Sequence, residues 1–374
     1  MDTQQPQNQN IALFQTDKFL YISGLALLLF VGLFTGLLGI WQYVVFGQKT
    51  EWLLRVLHSH GAWIGVIIIL LASAKFILGE AHKKVYLAGA SLIGVGATMG
   101  FFLYSLYSSY KWDFIETSIV RIHTHLIFYG VFLLLSLSLL KIINASEKVK
   151  KAIIVLYGIV LFGLLVGQSL FVFKGITPLF GAVFESAIFL AHLIVIYQLI
   201  KFLRKQLSGE EKVFGVFWLY SFVMIFLLTA VGVSMMLTMV APHQILTEHG
   251  LYWYDKNVAG EGVFKAVEDL HLSPVSWFTS GVAISLGLLA LRIPITFQVF
   301  ALTLLAVAPT LNAIGRIAKI LSTILPDAGY QIFGNGIKFG IAVLWLGGQP
   351  LKVFIVSTVL IYAIWWIRKS RITN

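Results

Sequence analysis

The chain of 374 residues contains no cysteine. That absence excludes disulfide cross-links, iron–sulfur ligation, thiolate haem or copper sites and a cysteine nucleophile. Any metal or cofactor must therefore be held by histidine and carboxylate. Charge is also scarce: Asp, Glu, Lys and Arg make up 11% of the residues while 59% are hydrophobic, against roughly a quarter charged and about half apolar in soluble domains. A larger water-soluble core does not require so few charges. Nucleotide, zinc-protease and serine-hydrolase signatures are missing too: there is no Walker A loop, no GxGxxG, no HExxH, no EF-hand pattern and no G-x-S-x-G elbow. The N-terminal stretch MDTQQPQNQNIALFQTDKF lacks the cationic flank and small-residue cleavage site of a signal peptide and reads as a short solvated tail, residues 1–18.

What the chain has instead is length of apolar run. Spans of about 20 residues or more, enough to cross a bilayer as helix, fall at 19–47, 58–80, 85–109, 117–142, 152–173, 177–203, 212–240, 273–292, 295–315 and 337–367. The expected fold is all-α: a polytopic transmembrane helical bundle of ten spans. It becomes eleven if the long last segment, which contains Gly347-Gly348-Gln349-Pro350, is a re-entrant piece followed by a full span. The formal net charge of +11 is distributed between spans and so marks cytoplasmic loops, not a nucleic-acid surface. Lys83, Lys84, Lys141, Lys148, Lys150, Lys151, Lys201, Arg204, Lys205, Lys212 and Arg292 gather on one set of loops, and the acids Asp113, Glu116, Glu248, Asp255, Glu261, Glu268 and Asp269 on the other. The positive-inside rule then places both termini in the cytoplasm of a cell (plasma) membrane. The expected organisation is a tail at 1–18, a seven-span His-containing bundle at 19–240, an outer cap loop at 241–272 and C-terminal spans with a basic tail at 273–374.

A repeat lies inside the first of these units, over about 55–109 and 120–173. His58-Ser59-His60 and His123-Thr124-His125 both read His-x-His-x4-Gly-Val, ending at Gly65-Val66 and Gly130-Val131, and each follows an arginine, Arg55 or Arg121. A degraded third copy is Ala191-His192-Leu193. Fixed-period self-similarity of this kind marks related structural units. Seven of the nine histidines (His58, His60, His123, His125, His243, His249 and His271) fall toward the outer side, whereas His82 reads as a surface residue beside Lys83 and Lys84. Ionisable groups in the membrane are costly and mark functional sites.

On a helix, residues i and i+2 point about 200° apart, so a His-x-His pair serves two neighbouring sites instead of chelating one ion. Neutral imidazole suits haem iron, copper and zinc. The glycine five residues after the second histidine admits either a flat macrocycle or another helix. Glu185 and His192, seven apart, share a helix face. Glu185 is either a metal-ligand or proton-relay carboxylate, or a buried acid paired with Arg121. Arg55 and Arg121 either pair with haem propionates or snorkel to the interface.

The run from Arg55 to Gly61, following a Gly- and Leu-rich first span, resembles the first two helices of catalytic subunits in the haem–copper oxidase and nitric-oxide reductase superfamily. The His-x-His-x4-Gly pattern is similar to small related haem-binding membrane proteins. This resemblance covers about the first 130 residues and implies that His58 or His60 is an axial ligand of haem b, with His123 and His125 as further ligands. The chain departs from the family in lacking a His-His pair, a His-x3-Glu pattern and a late span with His-x-His. Electron transfer or gas sensing is therefore expected before oxygen reduction. The expected cofactor is haem b, with His192 included among its candidate residues, and the expected partners are a quinone or cytochrome and a larger membrane complex. The alternative is a copper or zinc site in a membrane enzyme or transporter, ligated from His58, His60, His123, His125, His249 and Glu185.

Overall fold

The computed structural model describes residues 16–46, 52–107, 114–174, 179–240, 261–324 and 337–372. Twelve α-helices carry these residues: α1 Lys18–Leu27, α2 Phe34–Phe46, α3 Trp52–Leu78, α4 Lys83–Tyr107, α5 Phe114–Ile142, α6 Glu147–Lys174, α7 Leu179–Glu185, α8 Ala187–Leu203, α9 Gly209–Val240, α10 Glu261–Ala290, α11 Ile295–Ile324 and α12 Ile337–Ile372. A π-helical turn, Leu28–Leu33, joins α1 to α2 as one span. Among the described residues nine helical segments are long and apolar enough to cross a membrane. Helix α4, 25 residues long, stands beside these nine. It is paired along its length with α5, which gives a polytopic bundle of about ten spans.

Local chemistry sets the helix ends. The Asp17 carboxylate accepts from the Leu20 amide at the start of α1. Ser208 and Glu211 form a reciprocal capping box at α9, Ser208 N–H to Glu211 Oε2 at 2.8 Å and Glu211 N–H to Ser208 Oγ at 3.3 Å. Helices α3, α5 and α10 stop at residues with positive φ: Gly79 (61°), Asn144 (55°) and Arg292 (51°). These turns, with residues 204–208, lie at one end of the bundle, the lysine-rich end.

Helices α3, α5 and α10 contact one another at the centre. Of the spans on α5 and α10, 83% and 78% of residues are buried, against 33% for α6. Each central helix packs on the span that precedes it: α3 on α1–α2, α5 on α4 and α10 on α9. The Tyr21 hydroxyl donates to the Ile284 carbonyl at 2.9 Å and ties the third pair to the first, while Trp218 Nε1 donates to Ser285 Oγ at 2.8 Å within the third pair. Helix α12 closes the bundle against α11, α1 and α2.

The repeat extends into this packing. Gly24 meets Gly65 and Ile69 across the first hairpin, and Gly89 and Gly130 make the corresponding approach across the second. A Cβ on any of the four would stand under 3.0 Å from an atom of the facing helix. The glycine five residues after each His-x-His thus admits a neighbouring helix.

Several expectations change. Helix α12 continues through Pro350, so the last segment is one helix. Helix α10 begins at Glu261, so the expected cap at 241–272 gives way to helix from 261 onward; residues 241–260 lie outside the described residues. Because α10 packs on α3 and α5, the C-terminal spans are woven into the His-containing bundle. His82 is not a surface residue: it is 9% exposed and its Nε2 lies 3.3 Å from Glu147 Oε2, joining the α3–α4 turn to the start of α6.

Glycine to alanine exchange separates contact from propensity. Gly94 and Gly158 face open space, so Gly94→Ala and Gly158→Ala should raise stability by about 0.5–1 kcal/mol. Gly65→Ala and Gly130→Ala should lower it by about 1–3 kcal/mol, measured by thermal unfolding in detergent.

Candidate functional site

Each of the three central helices carries a histidine two to three turns from the end opposite the lysine-rich one: His58 on α3, His123 on α5 and His271 on α10. All three are partly buried, and all three make the same contact. The ring Nδ1 of His58 is 2.8 Å from the Gly32 carbonyl, that of His123 is 2.5 Å from the Gly96 carbonyl, and that of His271 is 2.9 Å from the Leu228 carbonyl. Each carbonyl belongs to the helix with which the histidine's own helix is paired. Four residues beyond it stands a glycine, Gly36, Gly100 or Gly232, against which the imidazole packs so closely that an added Cβ would collide with the ring.

The geometry decides the tautomer. A carbonyl oxygen only accepts, so Nδ1 carries the proton and the neutral ring keeps its lone pair on Nε2. Metal-ligating histidines are commonly prepared in this way by a carbonyl acceptor, which also fixes ring orientation. The Gly32 carbonyl lies within the π-helical turn of the first span, an irregularity that is frequent at functional sites.

The remaining candidates are placed differently. His60, two residues from His58, is exposed and interacts electrostatically with His123. His125 stacks on Tyr129, ring centroids 5.5 Å apart. The Tyr129 hydroxyl donates to Glu185 Oε2 at 2.5 Å, and both residues are buried, 5% and 4% exposed. The tyrosine therefore supplies a partner that the alternative pairing with Arg121 did not foresee. His192 is fully buried between Phe132 and Phe222, and neither ring nitrogen has a hydrogen-bond partner. Ser186, between α7 and α8, keeps helical dihedrals (φ −61°, ψ −16°), and Glu185 and His192 both meet α5, at Tyr129 and Phe132.

Arg55 and Arg121 lie on α3 and α5, but their side chains are outside the described residues, as are His243 and His249 altogether. Among the described residues no group of three or more His, Asp or Glu converges to hold a metal ion.

His271 is the site residue that sequence reasoning missed as a ligand candidate. Its copy has no second histidine two residues on, so the His-x-His pattern passes over it. The recoverable signal lies in the preceding spans: Gly32 and Gly36 recur as Gly96 and Gly100, and Leu228 and Gly232 repeat that four-residue spacing before His271.

Away from the histidines, a groove of about 770 Å³ opens between α9 and α11, lined by Lys212, Val216, Phe217, Val307 and Leu311 among others. Its polar feature is the Tyr220–Thr310 hydroxyl pair at 2.6 Å. It lies toward the lysine-rich end and has no contact with the histidine sites.

No protein family, curated protein or solved structure matches this chain.

Removing the phenolic donor tests the buried Tyr129–Glu185 bond. Tyr129→Phe should lower stability by about 1–3 kcal/mol, since it withdraws a donor from a buried carboxyl; unfolding in detergent reads the change.

Proposed function

We propose that the chain is a b-type haem-binding integral membrane protein of a prokaryotic respiratory chain, carrying electrons by way of histidine-ligated haem. The observation that carries the reading is the threefold arrangement of His58, His123 and His271, each with Nδ1–H bonded to a backbone carbonyl of the paired helix. Such a ring presents the unprotonated Nε2 that haem iron takes as an axial ligand. With no cysteine in the chain, thiolate ligation is closed and imidazole is the nitrogen donor that suits haem iron. His60 near His123 and His125 on Tyr129 stand beside this set, as the resemblance to haem–copper oxidase and nitric-oxide reductase subunits implies.

The lysine-rich end faces the cytoplasm of the plasma membrane by the positive-inside rule. Both termini then lie inside and the histidines lie toward the outer surface. Electrons pass there to or from a quinone or cytochrome partner, with the chain acting alone or as a subunit of a larger complex.

Purified protein should show a Soret band and a reduced-minus-oxidised b-type spectrum, with haem confirmed as the pyridine haemochrome. His58→Ala, His123→Ala and His271→Ala should each lower haem content, and His82→Ala should not. No Soret band and no haemochrome would overturn the proposal; copper or zinc without iron would select the metal-site alternative.

Gly100→Ala keeps the ligand but drives a methyl into the His123 ring. Losing the Nδ1 bond should weaken cofactor binding on the order of 10- to 100-fold, read as haem retained per chain after washing.

A further inference from the structure

Helices α9 and α11 both pack along α10, and the groove of about 770 Å³ runs between them. Its floor, Phe217 and Leu302, is buried, and the Phe217 ring rests on Gly281 of α10, where an added Cβ would stand 3.2 Å from it. Its rims are not covered: Val216 on α9 and Val299 and Val307 on α11 are 51%, 42% and 39% exposed. The groove therefore opens outward from the bundle, onto lipid.

Its length matches one leaflet. The lining on α11 runs from Val299 to Leu311, about 18 Å of helix at 1.5 Å per residue, against a hydrocarbon core about 30 Å thick. It begins at Gly209, the first residue of α9, at the lysine-rich end. A helix from a partner would cross the whole core and meet the groove for only part of its course. A single acyl chain runs through one leaflet and stops.

The polar groups divide along that length. Among the described residues lining the groove, Lys212 alone is charged, and it stands at the mouth. Lys212 is exposed and takes part in none of the ion pairs among the described residues. The acids next to it in sequence do not line the groove and are engaged elsewhere. Glu210 Oε1 accepts from Gln298 Nε2 at 2.7 Å, and Glu211 Oε2 from the Ser208 amide at 2.8 Å. Arg204, Lys205 and Arg292 lie in the turns of the same end. At the inner end the Thr310 hydroxyl donates to the Ala306 carbonyl at 2.7 Å, so Tyr220 donates to Thr310, and the pair keeps no hydrogen for a ligand. Thr303, on the wall between, is the remaining polar side chain. The groove is cationic at its mouth and apolar in its depth. Basic pockets between membrane helices at such a surface select anionic headgroups.

We propose that this groove binds one anionic phospholipid of the leaflet on the lysine-rich side, with an acyl chain between α9 and α11 and the headgroup phosphate at Lys212. The proposal stands apart from the haem reading, since the groove does not touch the histidines.

The test uses the full chain, purified in detergent and stripped of lipid. It is offered an equimolar mixture of dioleoyl phosphatidylglycerol and dioleoyl phosphatidylcholine, which share their chains and differ in net charge. Native mass spectrometry counts the lipid retained per chain, and thermal unfolding is followed with each lipid alone. Inorganic phosphate and decyl-ubiquinone are run as separate arms. Lys212→Gln removes the charge, Val307→Trp fills the groove from an exposed rim, and Val216→Trp serves if Val307→Trp does not fold. Lys148→Gln, at the same end on α6, is the control.

Wild type should retain one lipid and favour phosphatidylglycerol about fivefold, the advantage of one basic side chain near a membrane surface. Lys212→Gln should bring the two lipids close to parity, and Lys148→Gln should keep the preference. The tryptophan variant should lose the retained lipid and the rise in unfolding temperature that comes with it. Equal retention of both lipids by wild type overturns the proposal, as does a preference that survives in Lys212→Gln or falls equally in Lys148→Gln. Lipid retention unchanged by the tryptophan overturns it too. A stabilisation by inorganic phosphate as large as that by lipid would remove the acyl chain from the site. A shift with decyl-ubiquinone but not with phosphatidylglycerol would give the groove to a quinone, and a lipid-free dimer would give it to a second copy of the chain; each of these three results also overturns the proposal.

Discussion

In a bilayer the lipid tails are as apolar as the helices they surround, so burying leucine against leucine does little to hold two helices together. Association depends on how closely backbones can approach and on the few polar groups that must find partners away from water. In this chain the approach is made by glycine. Gly24 with Gly65, and Gly89 with Gly130, let α1 and α4 lie directly against α3 and α5. That nearness brings a neighbouring carbonyl within reach of an imidazole near the other end of the same hairpin. Gly36, Gly100 and Gly232 leave the space the ring occupies. Helix packing and histidine orientation are therefore two results of one constraint.

The polar interior divides by whether that constraint has been met. Tyr21, Trp218 and Tyr129 each reach an acceptor on another helix, and these bonds pin the register of α1, α9 and α7 against the centre. His192, Lys352 and Asn312 retain buried nitrogen atoms with no partner. Leaving such groups unpaired costs free energy that ordinary packing residues would not. For His192, enclosed by Phe132 and Phe222, we have no physical account.

Much of the architecture was legible in the sequence. Apolar run lengths and the distribution of lysine anticipate the helical bundle, the approximate number of spans and the end at which the lysines gather, because bilayer thickness and backbone satisfaction leave few alternatives. The His-x-His repeat falls on α3 and α5, whose first histidines make the same carbonyl contact. Where reading failed, a local pattern was misleading about tertiary context. The Gly-Gly-Gln-Pro stretch predicted a break in a segment that α12 traverses as helix. His82 sits beside two lysines in sequence, yet it is tucked against Glu147.

The deepest difference concerns which residues are brought together. From sequence alone the chain was determined to be an apolar, cysteine-free, all-helical membrane bundle with histidine concentrated toward one end, because composition and span length act residue by residue. Only the tertiary structure joined His271 to His58 and His123, gave Glu185 to Tyr129, and set Lys352 over the Trp277 ring. Those pairings lie on helices far apart in the chain, and nothing in their local sequence records the partner. Which helices become neighbours is decided by the close approaches that glycine permits, and that choice determines which polar groups meet.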